Sequence, residues 1–330
     1  MGKEYREAMF YEPCEGQKLH CLLCPHSCKI SEGKVGLCGV RRHENGRLVS
    51  LTYEKVTSFS LDPIEKKPLY HFHPGMDILS VGTVGCNFKC FFCQNWEISQ
   101  AGATLHTLSV DQLVSSVDRD NNVGVAFTYN EPVIWYEYII DCARLLKEKG
   151  FKVVLVTNGY INPEPLEELL PLIDAMNVDL KAFDNSFYER HCTGTLAPVL
   201  GTIKMAYGKV HLEVTNLIIP TLNDSKEHIG KMVEWLSNVG VDIPLHFSRY
   251  FPHFRAKLPP SSVDSLVRAR EMALKKLQYV YLGNIMDVEA NTTFCPSCGQ
   301  ALIERAGYSV SCNLTEKKCP NCEAEINLVL

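Results

Sequence analysis

Fifteen cysteines among 330 residues constrain this chain more than any other feature. Eleven of them fall into three groups. Cys21, Cys24, Cys28 and Cys38 form the first, Cys86, Cys90 and Cys93 the second, and Cys295, Cys298, Cys319 and Cys322 the third. Cys14, Cys142, Cys192 and Cys312 stand apart. The amino terminus, MGKEYR, has no apolar leader, and Arg6 stands where a myristoylation signal starting at Gly2 wants Ser or Thr. No run of 18 apolar residues occurs, so no transmembrane helix and no membrane association are expected. The expected location is the cytoplasm. Thiols stay reduced there, and clustered cysteines read as metal ligands or redox groups rather than disulfides.

The clusters divide the chain into an N-terminal Cys-rich segment (1–75), a central α/β unit (76–290) and a small C-terminal metal ribbon (291–330). With 46% hydrophobic and 22% charged residues, the composition is that of a globular protein with a large core. A net charge of −5 disfavours a nucleic-acid-coating surface. Short β-branched runs at 78–84, 123–128, 153–157, 175–180, 210–219 and 244–248 read as parallel strands buried on both faces. Helical patterns alternate with them. One is capped by Ser109, one runs from Pro132 to Lys149, and one opens at Asn162-Pro163. Two more cover 224–238 and 262–277. Six right-handed βα units suit a partial (β/α)6 TIM-like barrel or an open doubly wound sheet. In both, reactive groups belong at the C-terminal ends of strands.

Gly85-Cys86-Asn-Phe-Lys-Cys90-Phe-Phe-Cys93 follows the first of these strands directly. Three thiolates at this spacing can hold three corners of a [4Fe–4S] cluster and leave one iron open. An odd number of cysteines argues against disulfides, and no fourth ligand follows for a structural zinc.

CNFKCFFC resembles the CxxxCxΦC signature of radical S-adenosylmethionine (SAM) enzymes, with Phe92 as the aromatic. Thr128-Tyr-Asn130-Glu131 resembles that superfamily's Gly-Gly-Glu segment, with both glycines replaced. Thr157-Asn158-Gly159 follows the third strand. Asp179-Leu-Lys181 follows the fourth and resembles the Asp-x-Lys of glycyl-radical activating enzymes. His246 and Arg249 end the sixth. Each has a plain alternative: a helix cap at Asn130-Glu131, a turn at Thr157-Gly159, a surface ion pair at Asp179 and Lys181. The resemblance implies that Glu131 binds the amine of SAM, Lys181 its carboxylate, and Phe92 packs on the adenine. Asn130, Thr157, Asn158 and Asp179 become hydrogen-bonding candidates. Glu213 and Thr215 share one face of the fifth strand, from which Thr215 could reach SAM.

A wider set of segments extends the likeness over residues 20 to about 255. They include LHCLLCPHSC, EKKPLYHFHPG, TYNEPVIWYEY and EVTNLIIPTLND. They resemble the radical SAM enzymes of the AmmeMemoRadiSam system, which are similar to pyruvate formate-lyase activating enzymes. That family implies a radical SAM barrel that cleaves SAM reductively to a 5′-deoxyadenosyl radical and abstracts hydrogen from a substrate. It also implies an electron donor of flavodoxin or ferredoxin type and association with Amme- and Memo-type proteins.

The third group, CPSC and CPNC, has the spacing of a paired knuckle for zinc or a single iron, zinc being preferred. The first group could hold zinc or an auxiliary iron–sulfur cluster, with His20, His26 and His43 as alternative ligands. His71, His73 and Cys192 read as packing residues, although each could serve a substrate. Two rival functions are activation of a glycyl-radical enzyme and a non-catalytic iron–sulfur sensor. A third, modification of nucleic acid, is weakened by the acidic charge.

Overall fold

The computed structural model describes residues 5–117, 120–312 and 314–330; part of the amino-terminal reading therefore falls outside the described residues. Its centre is an eight-stranded sheet. We number its strands β1 (Ser58–Pro63), β2 (Asp77–Gly82), β3 (Asn122–Phe127), β4 (Lys152–Thr157), β5 (Ala175–Asp179), β6 (His211–Ile218), β7 (Leu245–Arg249) and β8 (Val280–Gly283). Spatial order follows chain order without reversal. β2 to β8 are parallel, and β1 runs antiparallel at the β2 edge. A doubly wound sheet would change direction at a switch point. None is present among the described strands, so the winding is that of a partial TIM-like barrel.

The parallel strands bury both faces, as their continuous apolar runs require. Val125, Phe127, Val153, Leu155, Val178 and Val214 pack outward against helices. Ile78, Ala126, Val154 and Ala175 point the other way and meet Ile64, Leu69 and Phe72. The outer layer includes α1 (Val110–Ser115), α2 (Tyr136–Glu148), α3 (Pro163–Leu169), α4 (Asn185–His191), α5 (Leu196–Ala206), α6 (Lys226–Val239) and α7 (Val263–Ala273). In α6, Ile229, Met232, Val233 and Leu236 form the buried stripe. Ser109 and Gln112 form a capping box at α1, and the Ser225 and Ser262 hydroxyls cap α6 and α7.

Two expectations need correction. The barrel has seven parallel strands, not six. β8 is only four residues long, and the helical pattern read over 262–277 runs almost to its start. β1 was not anticipated either: its Phe59 and Leu61 are exposed, so it shows no half-buried alternation.

Two three-stranded antiparallel sheets carry the first cysteine group. The C-terminal segment folds Thr293–Phe294, Ala301–Ala306 and Ser309–Cys312 into a third. It is anchored by Arg305, which is fully buried. One of its guanidinium nitrogens donates to the Tyr70 carbonyl at 2.5 Å, and the group lies 4.3 Å over the Tyr70 ring. Val329 pairs with the backbone of residues 71–73, so the chain end is stitched to the segment preceding β2.

Candidate active site

The C-terminal ends of β2 to β7 surround a cavity of about 480 Å³, within the range expected for a cofactor-sized ligand. Cys86, Cys90 and Cys93 line it from the loop after β2. That loop leaves the strand through Gly85 at φ 91°, where a side chain would also collide with the Cys38 carbonyl. Phe88 N and Asn158 Nδ2 approach the Cys86 sulfur at 3.3 and 3.8 Å, and Cys93 Sγ lies 3.2 Å from Ser99 Oγ. Cys192, fully buried, sits against Cys90. Its neighbour and burial together push the Cys90 thiol well up.

Glu131 is 2% exposed and lines the same cavity. One carboxylate oxygen accepts from Val133 N at 3.0 Å and Thr157 Oγ1 at 2.6 Å; the other accepts from Asn158 N at 2.8 Å. The capping alternative is therefore real, because Glu131 caps the 3-10 turn that starts at Pro132. A carboxylate offers about four acceptor sites, so one remains for a ligand. Burial raises the carboxyl to about 7, against the lowering effect of its three donors. Tyr129, where the motif departs from glycine, keeps a glycine-like backbone at φ 72°. Asn130 ties neighbouring loops together, accepting from Thr83 N and donating to the Gly85 carbonyl.

At the end of β5, Lys181 Nζ donates to Asp179 Oδ2 at 2.9 Å. Burial opposes the lysine's charge, but Asp179 and the Cys90 sulfur outweigh it and raise its pKa well above the ordinary value. Thr215 and Asp179 sit side by side in register, and Phe92 lines the wall while packing on Phe91 and Phe187.

Eight of the ten anticipated SAM contacts thus line one cavity with the cysteine triplet. His246 and Arg249 do not. His246 is in register with Thr215, yet its Nε2 lies 2.6 Å from Glu213 Oε2 and Tyr70 packs edge-on against its ring. Glu213 also holds His211 at 2.9 Å and His71 N at 2.7 Å. Arg249 turns away, donating to the Ser261 carbonyl and lying over Phe251. His71 is fully buried, and burial lowers it to about 3, as a packing residue would be.

Several wall residues were not anticipated: Lys66, Lys67, Tyr129, Ser248, Asn284 and Tyr308. Asp62 organises three of them, accepting from Lys66 at 2.8 Å, Lys67 at 2.7 Å and Tyr129 Oη at 2.5 Å. Lys66 and Lys67 pair with Asp62 locally, but Tyr129 joins them from 67 residues away, which leaves no local pattern. Tyr308 comes from the turn of the C-terminal hairpin, so that segment also shapes the cavity.

The third cysteine group is drawn together closely enough to hold a metal ion. The sulfurs of Cys295, Cys298, Cys319 and Cys322 lie within 4.8 Å of one another. The Cys295–Cys322 and Cys298–Cys319 distances are both 3.6 Å.

The Radical SAM superfamily model matches residues 80–236, which hold the triplet and strands β3 to β6. Over 98% of its length the chain is 40% identical to an uncharacterised protein of Methanocaldococcus jannaschii, which it covers completely. It is 29% identical to the pyruvate formate-lyase-activating enzyme of Clostridium pasteurianum, over 47% of this chain and 67% of that enzyme. A second M. jannaschii protein, provisionally named a glycyl-radical enzyme activating enzyme, is 29% identical over 63% of this chain and 80% of its own.

This chain belongs to the radical SAM superfamily. It is an enzyme of the kind that cleaves SAM with an iron–sulfur cluster, and its likeness to activating enzymes agrees with Asp179-Leu-Lys181. The donor set of this chain fits such a cluster. Among the described residues no three of the Cys86, Cys90 and Cys93 sulfurs lie within the 4.8 Å that would suit one ion. They stand open around a cavity with room for a second ligand. Among the described residues no helix is long and apolar enough to cross a membrane.

Proposed function

We propose that Cys86, Cys90 and Cys93 hold the catalytic [4Fe–4S] cluster and that SAM occupies the adjoining cavity. Bound there, the reduced cluster and SAM supply a 5′-deoxyadenosyl radical that takes hydrogen from a substrate. The observation that carries this reading is the convergence of the triplet, Glu131 and the Asp179–Lys181 pair on one 480 Å³ cavity. Glu131 keeps one acceptor site for the SAM ammonium. Lys181, held in place by Asp179, faces the carboxylate. Phe92 offers its ring to the adenine, and Asn130, Thr157, Asn158 and Thr215 supply polar contacts. Burial of this wall excludes water and stray hydrogen donors.

The division into an N-terminal segment, a barrel and a C-terminal ribbon fits this reading, with zinc preferred in the ribbon. An electron donor of flavodoxin or ferredoxin type would reduce the cluster, and Amme- and Memo-type proteins are proposed partners. Activation of a glycyl-radical enzyme is the second reading, favoured by the activating enzymes among its relatives.

The test uses anaerobically reconstituted protein, reduced with dithionite and given SAM. Formation of 5′-deoxyadenosine, absent in Cys90→Ala, is expected. A fully formed cluster with no product, and no change in its spin spectrum on adding SAM, would replace the enzyme reading of this site with a sensor. Addition of a glycyl-radical protein and a search for the glycyl spin signal tests the second reading.

A further inference from the structure

Beneath the N-terminal sheets, Cys21, Cys24, Cys28 and Cys38 line a second, smaller cavity together with Arg41. Cys21 N donates to the Cys28 carbonyl at 2.9 Å, which closes the loop bearing Cys24 and Cys28. Cys21 and Cys38 are buried, and the other two are half-buried. The four sulfurs come from segments up to seventeen positions apart and are brought together by two different sheets.

The spacing of these sulfurs does not suit a single ion. An ion held by four thiolates at about 2.3 Å places its sulfurs roughly 3.8 Å apart. The C-terminal group matches that, with two pairs at 3.6 Å and all four within 4.8 Å. Among the described residues no three of the N-terminal sulfurs do so. Cys86, Cys90 and Cys93 likewise are not drawn together within that distance. Between the N-terminal sulfurs lies a void of about 20 Å³, more than the ~10–15 Å³ one water needs. Four sulfurs closed on one ion would leave no such space.

Arg41 provides the independent observation. It is 1% exposed. Its Nη2 donates to the Met9 carbonyl and to Glu137, both at 2.6 Å. Its Nε and Nη1 have no partner among the described residues, although buried donors are rarely left so. It lies within electrostatic reach of Cys21, Cys38 and Cys24. A buried guanidinium with two spare N–H groups calls for an anion in the cavity that those sulfurs line.

We propose that Cys21, Cys24, Cys28 and Cys38 ligate a second [4Fe–4S] cluster and that the spare Arg41 donors hydrogen-bond to it. Four thiolates around a cubane carry net negative charge, which Arg41 offsets. The cluster backs onto the catalytic loop. The Cys38 carbonyl stands 2.6 Å from where a Cβ on Gly85 would lie, and His26 Nε2 lies 2.7 Å from the Asn87 carbonyl.

The test counts acid-labile sulfide, iron and zinc in the full chain after anaerobic reconstitution, with Mössbauer spectra. Sulfide decides, because neither zinc nor a single iron in the C-terminal group contributes any. The unaltered chain should hold about eight sulfides, twice the content of one cubane. The triple variant Cys86→Ala, Cys90→Ala, Cys93→Ala should keep about four, as a cubane, whether or not the catalytic site is as proposed. Adding Cys24→Ser and Cys28→Ser should remove them. About four sulfides in the unaltered chain that persist when Cys24→Ser and Cys28→Ser are introduced alone would overturn the proposal, because those sulfides then belong to the central triplet. A sulfide-free triple variant that holds zinc in the N-terminal group, or no metal there, would overturn it equally.

Discussion

Lys181 Nζ and Asp179 Oδ2 lie 2.9 Å apart at the end of β5, beside the Cys90 sulfur. The pair fixes a cation on the cavity wall beside the Cys90 sulfur, where the carboxylate of the proposed SAM would face it. Charge-assisted hydrogen bonds contribute about 1.5–3 kcal/mol, so Lys181→Met should weaken SAM binding by roughly ten- to a hundred-fold. The cluster should form normally, and the melting temperature should barely move. Equilibrium dialysis of SAM against the reconstituted variant checks this; unchanged affinity would remove Lys181 from the binding site.

Glu213 gathers His211, His246 and the His71 backbone at a fully buried position. Burial pushes its carboxyl up, but the bonds from His211 and His246 outweigh this and hold it well below its usual 4.5. A depressed carboxylate contributes stability above its unfolded pKa and loses it as pH falls. Stability from Glu213 should therefore be complete above about pH 4.5 and decline on acidification below that. Glu213→Ala should cost about 1–3 kcal/mol at neutral pH for each buried donor that it leaves without its acceptor. Urea unfolding at pH 7 and pH 4 should show a smaller difference between the two proteins at the lower pH.

The contrast between Glu213 and Glu131 marks what the chain reveals by reading alone. Strand-end positions of Glu131, Asp179 and Lys181 follow from strand periodicity, because parallel strands in sequential order put their C-terminal ends on one side. The triplet is local and visible at once. His246 shares the same row, but Tyr70 and Arg305 fill its neighbourhood from segments about 170 residues before and 60 after it, and no local pattern announces that. Tyr308 reaches the cavity from the distant C-terminal hairpin, and Tyr129 joins Asp62 across 67 residues. The eighth strand was hidden by its brevity, and β1 by exposed Phe59 and Leu61.

The C-terminal segment should matter to the cavity as well as to its own fold. Arg305 holds the Tyr70 carbonyl and Tyr308 lines the cavity wall. A metal held by its four sulfurs would supply much of the folding energy of a segment this small. Cys295→Ser with Cys322→Ser should therefore abolish metal binding there and raise amide exchange at residues 70–73 as well as in the hairpin. Exchange confined to residues 293–330 would show that the segment folds without supporting its neighbours.

The most informative titration is that of Glu131. Its carboxyl is raised to about 7 from 4.5, chiefly by burial. At about 1.4 kcal/mol per unit this is a penalty on the order of 3 kcal/mol for holding the ionised form in the folded protein. The folded state binds more protons than the unfolded state between these values, so cluster-free protein should lose stability as pH rises from 4.5 to 7. Glu131→Gln removes that slope, while its amide oxygen can still accept from Val133, Thr157 or Asn158. Binding of a SAM ammonium needs the ionised carboxylate, so affinity should rise through about pH 7 in the unaltered protein and stay flat and weak in the variant. Chemical denaturation of the cluster-free forms measures the first effect, and dialysis of SAM across the same pH range measures the second. A stability slope without an affinity slope would leave Glu131 as the cap of the turn at Pro132 and assign the ammonium to another group.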